Sequence, residues 1–140
     1  MDVEEPTGRS DPYARRAVLG LIAIATLVRL RFAFATELGN DEVYYWAYAA
    51  FPDWSHFDHP PMIGWVIQLF TLNLALDSEV FIRLAAVVSA AIATWLMYLI
   101  GRRIGGERAG LFAAILHTSA VYGSVLAGVV ILPDAPLVVF

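Results

Sequence analysis

Two acidic motifs hold the residue types with which this chain could do chemistry. The first is Asp41-Glu42-Val43-Tyr44-Tyr45-Trp46, followed from Phe57 by Phe-Asp-His-Pro-Pro-Met. The second is Leu132-Pro133-Asp134-Ala135-Pro136-Leu137. Carboxylates at a membrane edge suit general-base work, because desolvation favours the protonated form. Asp41 and Glu42 are neighbours, so on a helix they point about 100° apart. One can face a cavity while the other caps the helix or meets water. An equally direct reading is that Asn40 or Asp41 N-caps a helix starting at Val43.

Around these acids lie Tyr44, Tyr45, Trp46, Tyr48, Phe51, Trp54 and Phe57. Most of them read as an interfacial aromatic belt, with one or two, Tyr45 among them, free to stack on a sugar or line a lipid groove. His56, Asp58 and His59 offer a permissive spacing for a divalent metal, with Asp41 or Asp134 completing the set. A polar loop at the headgroups is the simpler account. Pro60-Pro61 fixes the chain direction and launches a helix from Met62. Arg83 opens an apolar run, an expensive place for a cation. Either an anionic partner, a lipid phosphate or one of the loop acids, justifies it, or it snorkels to the headgroups. Arg29 and Arg31 admit the same readings, and His117 reads as a hydrogen-bonded bundle residue.

The elements that must position these groups are apolar and long. Of the 140 residues 59% are hydrophobic and the mean hydropathy is +0.66, above the roughly 45–50% apolar of soluble domains. The pattern predicts an all-α polytopic membrane protein with spans over about 17–36, 80–100 and 109–130 and the start of a fourth. Residues 1–14 form a disordered cytoplasmic tail in this reading. The outer loop over 37–79 carries an interfacial helix over about 62–76. An uncleaved first span is preferred to a signal peptide, because Arg29 and Arg31 separate the apolar core from Ala33-Phe34-Ala35.

There is no lysine, and no arginine between Phe32 and Ile82, a window that holds Glu37, Asp41, Glu42, Asp53, Asp58, Asp77 and Glu79. Nucleic-acid binding is excluded for want of a basic stripe. With no cysteine, thiol chemistry and disulfides are excluded as well. Arginines favour the cytoplasmic side of short loops. That puts the tail and the Gly101–Arg108 turn inside, and the Asp41 loop and Asp134 turn together outside. The chain stops in mid-segment, as the N-terminal part of something longer would.

Taken in order, these features resemble a known family. A basic start and one span lead to Asp-Glu-x-Tyr-Tyr and Phe-Asp-His-Pro-Pro-Met. Arg83-Leu84, a Gly-Arg-Arg-Ile-Gly-Gly turn and Leu-Pro-Asp-Ala-Pro-Leu follow. From about Arg16 to Phe140 the chain resembles the N-terminal part of the GT-C-fold glycosyltransferases. Its bacterial likeness is to the protein O-mannosyltransferase superfamily, with the aminoarabinose and lipopolysaccharide-core enzymes. The resemblance implies a sugar transfer from a polyprenyl-phosphate donor to a lipid, glycan or protein acceptor on the outer face of a bacterial inner membrane. It implies Asp41 as the catalytic carboxylate, Asp134 as the second external acid and Arg83 as a residue steadying the lipid phosphate; Glu42 is added in support, and Tyr45 and His59 as candidate substrate-binding residues. It makes Asp58 part of a metal or phosphate site, with His56, from the loop spacing, as a further candidate ligand of a divalent metal. The aminoarabinose branch has an arginine after its Asp-Glu and a lysine before its Pro-Pro. The aromatic residues and His59 here depart from that branch. The 140 residues would be an inactive fragment on this view. The rival readings are a non-catalytic accessory or scaffold membrane protein, and a transporter fragment with Asp41 and Asp134 in an ion path.

Overall fold

The computed structural model describes residues 11–126, 128–137 and 139, and all of its regular elements are helical. Helix α1 runs Pro12–Ala35, α2 Asn40–Ala50, α3 Met62–Phe70, α4 Glu79–Ser119 and α5 Asp134–Leu137. A π-helical segment, Val121–Leu126, follows α4. Helices α1 and α4 are each long and apolar enough to cross a membrane. Leu19, Ile24, Leu27, Val28, Phe32 and Phe34 of α1 are exposed, a surface suited to lipid. The chain is an all-α membrane protein.

The first helix starts earlier than the apolar run suggests. Asp11 caps it, its Oδ1 accepting the Tyr13 N–H at 3.0 Å, and Pro12 occupies the first turn. Residues 11–14 of the expected tail are therefore ordered by the helix; residues 1–10 lie outside the described residues.

Helix α4 consists of two antiparallel limbs, 79–104 and 107–119. The break falls at Gly105 and at Gly106, which has φ 81° and ψ −176°, a conformation essentially confined to glycine. The helix thus continues into the expected 101–108 turn before reversing. The limbs then lie close because Gly110 sits against Tyr98. A β-carbon at Gly110 would be 2.6 Å from the Tyr98 carbonyl oxygen. The Tyr98 hydroxyl donates to Glu107 Oε2 at 2.5 Å and ties the hairpin shut. Val18 of α1 packs with Tyr98 and Ala114 in a second small core. The second limb ends at Ser119, well before residue 130.

Two differences concern the outer loop. Its 38–61 stretch, read as a loop with a helix from Val43 as the alternative, contains the helix α2, which begins at Asn40. Gly39 is its N-cap, and Glu42, at the third position, accepts the Gly39 N–H at 2.9 Å. Helix α3, in contrast, stops at Phe70 and does not reach 76. Leu72, Asn73 and Leu74 all take positive φ, of 50°, 57° and 63°, which a right-handed helix cannot contain. Thr71 stabilises this reversal by accepting the Leu74 N–H at 3.0 Å. Helices α2 and α3 meet through Gly64, which lies against the Tyr48 backbone, and through Gln68 Nε2, which donates to the Ala49 carbonyl at 3.0 Å. The main core joins them to α4 and α5 through Tyr45, Tyr48, Ile63, Ile67, Ile82 and Ala135, with Ile131 just before α5.

Candidate functional site

The site grows from one buried ion pair. Arg83, in the first turns of α4, is 2% exposed, and so is Glu42 of α2. Nε of Arg83 donates to Glu42 Oε1 at 2.8 Å and Nη2 to Oε2 at 2.6 Å, a bidentate fork. The remaining guanidinium donors reach the end of α1 and the link after it. Nη1 meets the Thr36 carbonyl at 2.7 Å, Thr36 Oγ1 at 2.8 Å and the Ala33 carbonyl at 3.3 Å, and Nη2 meets the Glu37 carbonyl at 2.8 Å. Every N–H of Arg83 is engaged. Glu42 Oε1 also accepts the Ile131 N–H at 3.1 Å, beside the second acidic motif. Burial pushes Glu42 up, but the bonds from Arg83, Gly39 and Ile131 outweigh it, and the carboxyl lies below its ordinary value.

This clamp sets the two motifs side by side. Glu42 faces inward, and Asp41, one position away, is exposed at the start of α2, and its side chain makes no hydrogen bond or ion pair among the described residues. The helical offset between neighbours produces this division. Asp134 is half-buried, and its Oδ2 accepts the Tyr122 hydroxyl at 2.9 Å.

Tyr45, one turn after Asp41, is the hub. Burial raises its phenol first, and then the charges of Asp58, Asp41 and Asp134 raise it further. Three carboxylates from three stretches of chain therefore act on one hydroxyl. That hydroxyl lies 3.2 Å from His59 Nε2. The Tyr45 ring makes edge contacts with Tyr44, Tyr48 and His59.

Asp58 is held by two phenols. The Tyr44 hydroxyl donates to its Oδ1 at 2.8 Å, and the Tyr48 hydroxyl makes a shorter bond to the same oxygen. These bonds, Tyr48's first, keep the Asp58 carboxyl below its usual range. Burial, and then the bond to Asp58, push the Tyr48 phenol up. His56 does not join Asp58; it stacks on Tyr48 with ring centroids 3.6 Å apart. His59 Nε2 is 3.8 Å from Asp58 Oδ2. Among the described residues no group of three or more histidine, aspartate or glutamate side chains is arranged to hold a metal ion. The clasp formed by Tyr44 and Tyr48 was not anticipated from the sequence, although their spacing of four places both on one helix face.

The arrangement is an exposed carboxylate near a polar cluster of phenols, imidazole and two further acids. It can accept a proton from a hydroxyl and hydrogen-bond a polyhydroxylated ligand. A family model described as dolichyl-phosphate-mannose-protein mannosyltransferase matches residues 58–140, more than half of the chain. The matched stretch begins at Asp58 and takes in Arg83 and Asp134. Asp41 and Glu42 lie ahead of it. No curated protein and no solved structure matches the chain.

Proposed function

Because this chain belongs to the dolichyl-phosphate-mannose-protein mannosyltransferase family, we propose that it serves in moving a hexose or pentose from a polyprenyl-phosphate donor to an acceptor hydroxyl. The acceptor is on a lipid, glycan or protein at the extracytoplasmic face of a bacterial inner membrane, and the N-terminus is cytoplasmic. The observation that carries the reading is the Arg83–Glu42 clamp, which through the Ile131 N–H bond to Glu42 holds the start of α2, where Asp41 is exposed, beside the chain leading to Asp134. Asp41 is the base. The acceptor oxygen bonds to the anomeric carbon as its proton passes to the Asp41 carboxylate. The bond from that carbon to the phosphate oxygen breaks, and the electron pair leaves with the polyprenyl phosphate.

Tyr45 and His59 hydrogen-bond the sugar or the phosphate, and Asp134 supports the acceptor side. Asp58 takes part through the phenols that hold it. In this reading Glu42 and Arg83 are positioning residues. Their donors and acceptors are already spent on each other and on the backbone, so they act by fixing Asp41 against the Asp134 turn.

The test is transfer of label from a radioactive polyprenyl-phosphate sugar by membranes carrying the natural gene product. Label reaching an acceptor fraction is the expected result. Transfer from a nucleotide sugar but not from the lipid-linked sugar contradicts the proposal.

A further inference from the structure

The opposite end of the bundle, where α1 begins and α4 reverses, takes no part in that reading. It gathers Arg15, Arg16, Arg102, Arg103 and Arg108. Of these, Arg15, Arg16, Arg103 and Arg108 are exposed, and their side chains make no hydrogen bond or ion pair among the described residues. Arg102 lies 3.7 Å from Glu107 and beside the Tyr98 hydroxyl, with a side chain still 48% exposed. Arg83, whose every N–H is engaged, is the opposite case.

On the first limb of α4 these charges sit at the end of a groove. Leu96, Leu99 and Ile100 line its length, and Arg102 and Arg103 close it. No acid lines it. Ile100 is 53% exposed and Ile92, a further two turns back, 44%. The apolar strip therefore continues along the helix towards the membrane interior. A second groove has Leu111 and Phe112 against Ala17, with Arg108 at its end, but Asp11 lines it too. An apolar strip lined at one end by two arginines fits an amphiphile with a phosphate head. Arginine binds phosphate oxygens through paired N–H donors, and basic pockets beside membrane helices take anionic headgroups.

We propose that the groove of Leu96, Leu99, Ile100, Arg102 and Arg103 is a binding site for one anionic phospholipid. Its phosphate sits between Arg102 and Arg103 and an acyl chain lies along the leucines. This is separate from the donor site at the other end of the molecule, and does not depend on it.

The experiment uses the whole protein in nanodiscs of phosphatidylcholine, to which phosphatidylglycerol is added while Tm and retained lipid are followed by thermal unfolding and native mass spectrometry. A saturable rise in Tm with one retained phosphatidylglycerol is expected. Arg102→Gln with Arg103→Gln weakens the apparent affinity roughly tenfold or more, from loss of charge-assisted bonds. Arg15→Gln with Arg16→Gln removes the same charge from the same end but leaves the groove, so it retains the site. Equal loss in both double variants means diffuse charge attraction and overturns the proposal. A rise that never saturates does the same, and so does equal protection by inorganic phosphate, which would give the acyl strip no role. All of these substitutions are at exposed positions, and the unfolding temperature of each variant in phosphatidylcholine alone shows that it folds.

Discussion

Arg83 and Glu42 face each other across two parallel hydrogen bonds, at 2.8 and 2.6 Å, although 41 positions separate them in the chain. Through this pair the end of α1, the start of α2, the start of α4 and the backbone at Ile131 become one unit. Removing one member leaves a buried charge without its partner, which costs about 3–5 kcal/mol. Glu42→Gln and Arg83→Gln are therefore expected to lose resistance to proteolysis and to lower the thermal unfolding temperature in detergent. Arg83→Lys does not restore it, because an ammonium cannot make the fork.

The same pair makes stability depend on pH. Folded Glu42 holds its proton less tightly than the unfolded carboxyl, because the bonds around it favour the charged form despite burial. Its contribution is complete above the ordinary carboxylate range, near about pH 4, and is lost as pH falls through the lower folded value. Asp58, lowered by Tyr48 and Tyr44, acts in the same direction. Thermal unfolding measured from neutral to acid pH is expected to fall in the wild type. Glu42→Gln starts lower and shows a flatter dependence.

Close approach at Gly110 sets the α4 hairpin. A β-carbon there would lie 2.6 Å from the Tyr98 carbonyl oxygen and 2.8 Å from its ring. Gly110→Ala is expected to destabilise by about 1–3 kcal/mol through overpacking. Gly20, in the middle of α1, has open space where a β-carbon would stand, with nothing within 4 Å. Gly20→Ala is expected to be neutral or to stabilise by about 0.5–1 kcal/mol. Unfolding midpoints of the two variants in one detergent check the contrast.

Much of this was readable from local pattern. The apolar runs and their arginines mark where α1 and α4 form, and the Gly105-Gly106 pair marks where α4 reverses. Helix α2 was legible only as an alternative, a helix from Val43 capped by Asn40 or Asp41; the structure starts it at Asn40 with Gly39 as the cap. The early end of α3 had almost no signal, because Leu72 and Leu74 are unusual residues for positive φ and only Asn73 hints at it. For Arg83 the sequence left a lipid phosphate and a loop acid as rival partners. The structure pairs it with Glu42, and no local rule reaches across 41 positions. The clasp of Tyr44 and Tyr48 on Asp58 lay between these cases. Its helical spacing was visible, but its target was not.

The central claim is that Asp41, exposed and unpaired beside Tyr45, is the base. The most direct test compares sugar transfer from a polyprenyl-phosphate donor by the natural gene product and its Asp41→Asn variant, with the unfolding temperature of each. The account predicts a fall in rate of roughly 10²–10⁴-fold, the usual worth of a general base, with the unfolding temperature unchanged. Transfer at the wild-type rate by a folded Asp41→Asn would contradict it.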